Sequence, residues 1–440
     1  SVDVDTKETK SYSMESTTSA LTSGSRYRGV VLSPNNDSLW LIPSGAYYPV
    51  RFMFHNSLFV EYNRYPAGIE KKDAYKFAGA AIIGTSFYMV PRYARAVVGV
   101  KFADGFMTAF DDWPTTSNFQ LATSAFGCVI AVFDTETANA SLWMAPINAN
   151  LIVKFQPWQD GGGKMVGYEF LSTLGFEPIN AQSIAVGLFS ALVHVAGFIW
   201  FVPSGANMIL QVSAATGVVV DGHNNWPGGF AQTSDKRSFT AAVGTANSTV
   251  WMIAAMGFIV KLDARTANME LIGVNRFPSG FQAGTPSAFS AGVATPDGSL
   301  FLIPHDANMI VHLSSITANQ KQSRCRQPEK QEIPCPWITT GNAGYGESSS
   351  PNLMIPLRRE NDGDDADVEI QLASASPGGS HLSGYFGGVY AHGSLYLVPH
   401  KSTTVTEVDL KTGVPTHLPT PPITYHTPAD RFAGAVLSPD

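Results

Sequence analysis

The sequence has little charge and little cysteine. Only 14% of its 440 residues are Asp, Glu, Lys or Arg, and the acidic residues outnumber the basic ones by 35 to 28. Without a basic excess to neutralise phosphates, nucleic acid is not the expected partner. Three cysteines are too few for a disulfide scaffold. With 44% apolar residues, the chain is also far too hydrophobic to be disordered.

One charge-free run, from Ile184 to Pro203, is long enough to cross a membrane as a helix. Gly197 divides this run at a turn position, and a repeated pattern elsewhere in the chain accounts for both halves. We therefore expect two short buried strands here, and no membrane span.

A repeat of about 50 residues is the strongest signal in the sequence. Each copy has an aromatic residue, a small residue two places later, an apolar run, a turn, and a second apolar segment that usually ends in Pro. The copies begin at Tyr27, Phe77, Phe126, Phe189, Phe239, Phe289 and Phe386, with a partial copy at Phe432. Their second segments end at Pro43, Pro91, Pro146, Pro203, Ala254, Pro304 and Pro399. Short apolar segments between Gly, Asn, Asp and Pro turns predict β-strands.

The segments FxGxV, LWLVP and NMIVKF follow one another in an order that resembles NHL- and kelch-type propellers. This resemblance implies an all-β fold, a single β-propeller of seven or eight four-stranded blades over residues 26–440. We favour eight, counting a degenerate copy that ends at Pro356 inside an irregular insert, residues 318–385. If that copy is only an insertion, seven blades remain. Residues 1–25 are polar without a hydrophobic period and are predicted to form a flexible arm.

Two sets of side chains fit this geometry. Small residues follow each opening aromatic because first strands crowd around the axis, and Cys128 among them is expected to be an inert buried thiol. The second strands carry an aromatic at one equivalent position, which we expect to pack between blades. The seven aromatics are Trp40, Tyr88, Trp143, Trp200, Trp251, Phe301 and Tyr396.

Other features favour a secreted or cell-surface glycoprotein. Three Asn-x-Ser/Thr sequons, at Asn36, Asn139 and Asn247, fall in turns between first and second strands and are candidates for glycosylation. The alternative is that Asn is simply a good turn residue. Cys325 and Cys335 either close a small disulfide loop or are free thiols. The chain begins at Ser1 without Met, as a trimmed product would.

The first strands offer few groups for acid–base chemistry, since Arg28 and His194 are their main ionisable residues. We therefore expect a non-catalytic scaffold that presents loops to a protein or glycan partner, with no cofactor and no metal. The candidate contacts lie in the turns between second and third strands: Arg92, Tyr93, His305 and His400.

Two alternatives remain open. A metal-dependent hydrolase or lyase would need His194, His305 and His400 to converge near the axis. A lectin-like propeller would stack sugars on exposed aromatics such as Tyr47, Tyr48, Tyr93 or Trp226.

Overall fold

The computed structural model describes most of residues 27–315 and five short segments beyond them. The described residues are 27–35, 37–53, 55–56, 58–70, 75–115, 119, 124–134, 139–158, 162–170, 176–177, 187–230, 232, 238–245, 248–254, 257–272, 277, 281–282, 288–295, 299–315, 368–373, 385–391, 394–399, 405–409 and 415–418. The predicted arm, Cys325, Cys335, Asn36, Asn247, His400 and the copies at Pro356 and Phe432 lie outside them.

The fold is a single all-β propeller with four-stranded blades, and the described residues form seven such sheets. In each sheet the four strands follow chain order and pair antiparallel. Strands β1 (Tyr27–Leu32), β2 (Ser38–Pro43), β3 (Val50–Met53) and β4 (Leu58–Glu61) form the first sheet. The second contains β5 (Phe77–Ile83), β6 (Ser86–Pro91), β7 (Val97–Lys101) and β8 (Met107–Phe110). The third contains β9 (Phe126–Asp134), β10 (Asn139–Pro146), β11 (Ile152–Pro157) and β12 (Gly163–Tyr168).

The remaining sheets continue the same order. The fourth contains β13 (Phe189–Val195), β14 (Phe198–Pro203), β15 (Ile209–Ser213) and β16 (Val219–His223). The fifth contains β17 (Phe239–Thr245), β18 (Thr249–Ala254), β19 (Ile259–Asp263) and β20 (Met269–Ile272). The sixth contains β21 (Phe289–Ala294), β22 (Leu300–Pro304), β23 (Ile310–Ser315) and β24 (Val368–Ala373), and the seventh contains β25 (Tyr385–Ala391), β26 (Ser394–Pro399), β27 (Val405–Asp409) and β28 (Pro415–Leu418). First strands of consecutive sheets contact each other from β1 through to β25.

The opening aromatic of each repeat lies opposite the residue that closes the second segment. Phe77 pairs with Pro91 and Phe189 with Pro203, and the same register recurs in all seven sheets. One extra residue follows the aromatic on the first strand, so each hairpin begins with a β-bulge. In six of the seven sheets the bulge lies next to a proline, which has no N–H to continue a regular ladder.

The aromatic position of the second strand is buried, as the sequence predicts. Trp40, Trp143 and Trp200 have no exposed surface, and Tyr88, Trp251 and Phe301 are also buried. In three sheets the residue opposite on the third strand places a cation over the indole ring. The distances from cation to ring centroid are 5.5 Å for Arg51 over Trp40, 5.2 Å for Lys154 over Trp143 and 5.8 Å for Lys261 over Trp251. Each such contact contributes about 0.5–1 kcal/mol at a partly exposed site.

A second aromatic layer comes from the connections between sheets. In five seams a ring from the connection packs on the next opening aromatic, with centroid distances from 5.6 to 6.3 Å. These rings are Tyr65, Trp113, Phe170, Trp226 and Phe277. Four of the five precede a proline, which stiffens the connection where it turns into the next sheet. The seams between sheets are therefore apolar.

The strand pairing corrects our preference for eight blades. Residues 368–373 read Val-Glu-Ile-Gln-Leu-Ala, an alternating pattern, and they pair with Ile310–Ser315 as the fourth strand of the sixth sheet. The segment between Ser315 and Val368 is therefore an insertion between two paired strands. The register also moves the opening aromatic of the last complete copy from Phe386 to Tyr385, which pairs with Pro399.

The charge-free run forms strands, as predicted. Phe189–Val195 and Phe198–Pro203 pair as a hairpin, and Gly197 has a φ of 79° in the turn between them. Among the described residues, no helix is long and apolar enough to cross a membrane.

Candidate interaction surface

The predicted contact residues do not form one site. Arg92 and Tyr93 follow β6 in the second sheet, whereas His305 follows β22 in the sixth. His400 lies outside the described residues. Both described turns open on the same face of the propeller, but three sheets lie between them in chain order. Any shared ligand of Arg92 and His305 would have to span the ring, so we treat the two turns separately.

Arg92 is the centre of an aromatic cluster on that face, which we call the Tyr75–Arg92–Tyr93 cluster. The guanidinium carbon lies 5.4 Å from the ring centroid of Tyr75 and 6.0 Å from that of Tyr93. The two tyrosine rings are 6.1 Å apart. Both are exposed, Tyr75 at 38% and Tyr93 at 42% of their surface. The cluster therefore presents two rings and a cation to solvent.

The backbone holds this cluster in place. The N–H groups of Arg92, Tyr93 and Ala94 all donate to the carbonyl oxygen of Lys76, at 2.8, 3.2 and 3.1 Å. The carbonyl of Arg92 in turn accepts from the N–H of Ala125, the residue before the next first strand. The turn is thus tied to its own sheet and to the third, which fixes the direction of both side chains.

The Arg92 side chain bridges the same two sheets. Its Nε donates to Oγ of Ser124 at 3.1 Å. Ser124 and Tyr75 each lie two residues before an opening aromatic, and both have left-handed backbones, with φ of 60° and 54°. Gly187 has a φ of 88° at the equivalent place in the fourth sheet. The repeat imposes this conformation, and a bulky Tyr adopts it at a cost of roughly 1–2 kcal/mol.

Sequence reasoning missed Tyr75, which the structure adds to the predicted pair Arg92 and Tyr93. Its position relative to Phe77 is occupied by Ser124 and Gly187 in other sheets, so no periodic signal marks it. The sign available in the sequence was an aromatic at a place where most other copies have Ser or Gly. Backbone strain at an exposed aromatic is a recognised marker of functional surfaces.

His305 lies in a different environment. Its Nδ1 is 3.2 Å from Oδ1 of Asp306, and both side chains are largely buried, at 12% and 14% exposure. Its backbone N–H donates to the carbonyl of Ala288 at 2.9 Å. His305 is thus held inside the turn between second and third strands, with little surface for a partner.

The predicted metal site does not assemble from the described residues. His194 lies near the end of β13, opposite Ile199 at the hairpin turn. His305 lies beside Ala288, the residue before β21, because its backbone N–H donates to the carbonyl of Ala288. The two therefore lie at opposite ends of the first strands, roughly 15–20 Å apart at about 3.3 Å per residue. Zinc–ligand bonds are only about 2 Å long. Across the described ranges, no group of three or more His, Cys, Asp or Glu side chains is placed to hold a metal ion.

Two ionisable groups on the first strands have shifted pKa values. Burial lowers the pKa of His194 below its ordinary value. Burial also raises the pKa of Cys128 to about 12, against a smaller opposing effect of Arg28. Cys128 is a free, partly buried cysteine that packs against the apolar cluster shared by the third and fourth sheets. The neutral thiol agrees with the predicted inert residue.

The aromatics of the lectin hypothesis are mostly occupied in packing. Trp226 packs on Phe230 and Phe239 with centroid distances of 5.2 and 5.6 Å. Tyr47 and Tyr48 are half-buried and contact each other at 6.2 Å. Among the four residues of that hypothesis, Tyr93 is the one that is well exposed.

The sequon and disulfide predictions remain largely outside the described residues. Asn139 is the first residue of β10 and pairs with Asp134, in the hairpin between first and second strands. Asn36 and Asn247 fall in the equivalent intervals of the chain but are not among the described residues. Cys325 and Cys335 also lie outside the described residues.

Comparison with solved structures gives one similarity with a TM-score above 0.5, which supports the propeller fold. A virginiamycin B lyase from Staphylococcus aureus is 13% identical, with a TM-score of 0.51 over 86% of this chain and 94% of that one. The computationally designed protein Ika8 is 11% identical, with a TM-score of 0.46 over 90% of this chain and 88% of its own. A nidogen/laminin complex gives a TM-score of 0.32 at 11% identity, over 56% of this chain and 79% of that chain. No protein-family model and no curated protein sequence matches the chain. At such low identity the first likeness extends to the fold alone.

Proposed function

We propose that this chain is a non-catalytic interaction protein that binds a protein partner through the Tyr75–Arg92–Tyr93 cluster. The observation that carries this proposal is the exposed pair of tyrosine rings around Arg92. Tyr and Arg are enriched at the centres of protein interfaces, where they bury large areas with few rotatable bonds.

Preorganisation supports the assignment. Arg92 is fixed by its bond to Ser124, and its turn is fixed by three hydrogen bonds to Lys76. Because these groups are already ordered, a partner that binds here loses less of the contact energy to conformational entropy. The strained backbone of Tyr75 belongs to the same surface.

The non-catalytic part of the proposal rests on the first strands. Cys128, with its pKa raised to about 12, is a poor nucleophile at neutral pH. His194 and His305 are far apart along the strands, so they cannot share a ligand. As part of the same proposal we assign the propeller to the NHL- or kelch-like type because of its repeat pattern. We also place the protein in the secretory route because of its sequons.

Site-specific photo-crosslinking tests the proposal. A benzophenone amino acid placed at Tyr93 is expected to give one discrete adduct in extract or fluid from the native source. The matched control places the same probe at Trp158, which is 55% exposed and lies at the opposite end of the strands. Excess unlabelled wild-type chain should compete the adduct away.

The same competition assay also tests whether the Tyr75–Arg92–Tyr93 cluster itself makes the contact. An unlabelled chain with Arg92→Ala and Tyr93→Ala should compete at least about tenfold less well, because hot-spot truncations cost about 2 kcal/mol or more. A chain with Trp158→Ala should compete like wild type. Equal competition by all three chains would refute the assignment of this surface.

A further inference from the structure

A cavity of about 550 Å³ lies at the seam between the fourth and fifth sheets, away from the Tyr75–Arg92–Tyr93 cluster. The fourth sheet contributes Trp200, Gln211, Asp221 and His223, and the fifth contributes the turn of residues 264–269 between its third and fourth strands. The volume falls within the range of about 300–1,000 Å³ that is usual for small-molecule sites.

Other seams show what normally fills this space. Tyr168 ends β12 opposite Ile152, and its ring stacks on Trp143 at 5.5 Å. The ring also fills the room beside Gly217, in the corresponding turn of the next sheet, where an added Cβ would overlap it. Tyr62 likewise packs on Trp40 at 4.6 Å and occupies the space at Gly105. In both seams a tyrosine wedges between the buried tryptophan and the turn of the next sheet.

His223 stands where the third sheet has Tyr168. It ends β16 opposite Ile209, the same register, and its ring lies 5.5 Å from that of Trp200. The imidazole is shorter than a phenol. Ala267, with a φ of 58°, replaces the left-handed glycine of the facing turn. The turn therefore faces an opening instead of a ring, and this substitution accounts for the cavity.

The imidazole is held by its neighbours. Nε2 of His223 lies 3.1 Å from Oε1 of Gln211, and Nδ1 lies 4.0 Å from Oδ2 of Asp221. Burial lowers the pKa of His223, against a smaller opposing effect of Asp221. Burial therefore favours the uncharged imidazole, and the ring is held in place beside the cavity.

We propose that this cavity binds a neutral, polyhydroxylated ring, that is, a sugar unit. Asn225, Thr266 and Asn268 add amide and hydroxyl groups to the lining, and these both donate and accept hydrogen bonds, as sugar hydroxyls do. Asp221 and Arg265 contribute one charge of each sign, so the lining has no cationic excess for a phosphate. This inference does not depend on the proposed function, since it concerns different residues.

Saturation-transfer NMR on the full chain tests the proposal. The probes are glucose, galactose, mannose, N-acetylglucosamine, myo-inositol, cellobiose and lactose, with AMP and glucose 6-phosphate as anionic comparisons. We expect transfer to at least one sugar. A signal from the monosaccharides identifies the free sugar as sufficient, and one from the disaccharides alone identifies a glycan chain. Transfer to none of the neutral sugars, or to the two phosphate esters instead, would overturn the proposal.

Two variants locate the binding. His223→Tyr recreates the wedge of the third sheet and should abolish transfer. Asp221→Asn removes a carboxylate acceptor from an exposed position and should weaken binding by about tenfold without affecting folding. The control is Asp104→Asn, which lies in the second sheet, in the turn that corresponds to residues 264–269 of the fifth. This variant should bind sugar like wild type. Undiminished sugar binding in the Asp221→Asn and His223→Tyr chains would place the site elsewhere and refute the proposal.

Discussion

At the residue scale, Cys128 shows how a position in the repeat sets the chemistry of a side chain. It pairs with Ala145, the register position held by Gly79 opposite Val90 and by Ala191 opposite Val202. Cys128 packs there against the apolar cluster that the third and fourth sheets share. The pKa of about 12 follows from that enclosure, because a thiolate would be formed away from solvent.

We predict that Cys128 is almost inert towards iodoacetamide at pH 8. Only about one thiol in ten thousand is ionised at that pH, against roughly a quarter of free cysteines, so alkylation should be about a thousandfold slower. Mass spectrometry of proteolytic peptides after timed labelling measures this for Cys128 separately from Cys325 and Cys335. Labelling in guanidinium provides the reference rate. A native rate close to that reference would contradict the assigned environment.

At the scale of the element, each sheet is a repeat with a fixed core and one variable wedge. The second-strand aromatic recurs and was visible in the sequence as a periodic pattern, whereas a third-strand cation packs on it in three sheets. The ring that closes the seam was not visible in this way. Tyr62 lies one residue beyond β4, whereas Tyr168 and His223 end β12 and β16, so their alignment appears only from strand pairing. The wedge decides whether a seam is filled or open.

The Gly217→Ala variant tests how tightly a filled seam is packed. Its backbone has a φ of 77°, and its Cβ would overlap the Tyr168 ring. Gly197 has a φ of 79° with nothing within 4 Å of its Cβ site, so Gly197→Ala is the matched control. We expect a loss of about 1–2 kcal/mol in the free energy of unfolding for Gly197→Ala, from backbone strain alone. Gly217→Ala should lose about 1–3 kcal/mol more because the ring must move. Equal losses in urea denaturation would show that this seam is loosely packed.

At the scale of the whole molecule, the sequence predicted the propeller well because its signals are periodic. Opening aromatics and closing residues, which are prolines in six of the seven sheets, alternate with turns, and in the structure they lie opposite each other. The blade count was harder to predict. Leu353 to Pro356 resembles a second strand locally, and only the pairing of Val368–Ala373 with β23 shows which sheet the chain has returned to. Sites were harder still, since Tyr75 and His223 depart from the repeat and periodicity cannot identify exceptions.

The insertion in the sixth sheet leads to a strong prediction about the whole chain. Ser315 and Val368 are paired residues at the ends of adjacent antiparallel strands, so their backbones are already within reach of a two-residue turn. Replacing residues 316–367 with Asn-Gly should therefore leave a folded propeller. Circular dichroism and a single cooperative urea transition measure this, and the midpoint should stay close to that of the full chain. If these residues instead formed a complete blade in the ring, their removal would break the contacts between its neighbours, and the shortened chain would lose its cooperative transition. Replacing residues 264–268 of the fifth sheet with Asn-Gly is the control. That turn makes hydrogen bonds to its own sheet, and Ala264 is buried in an apolar cluster, so its loss should be destabilising.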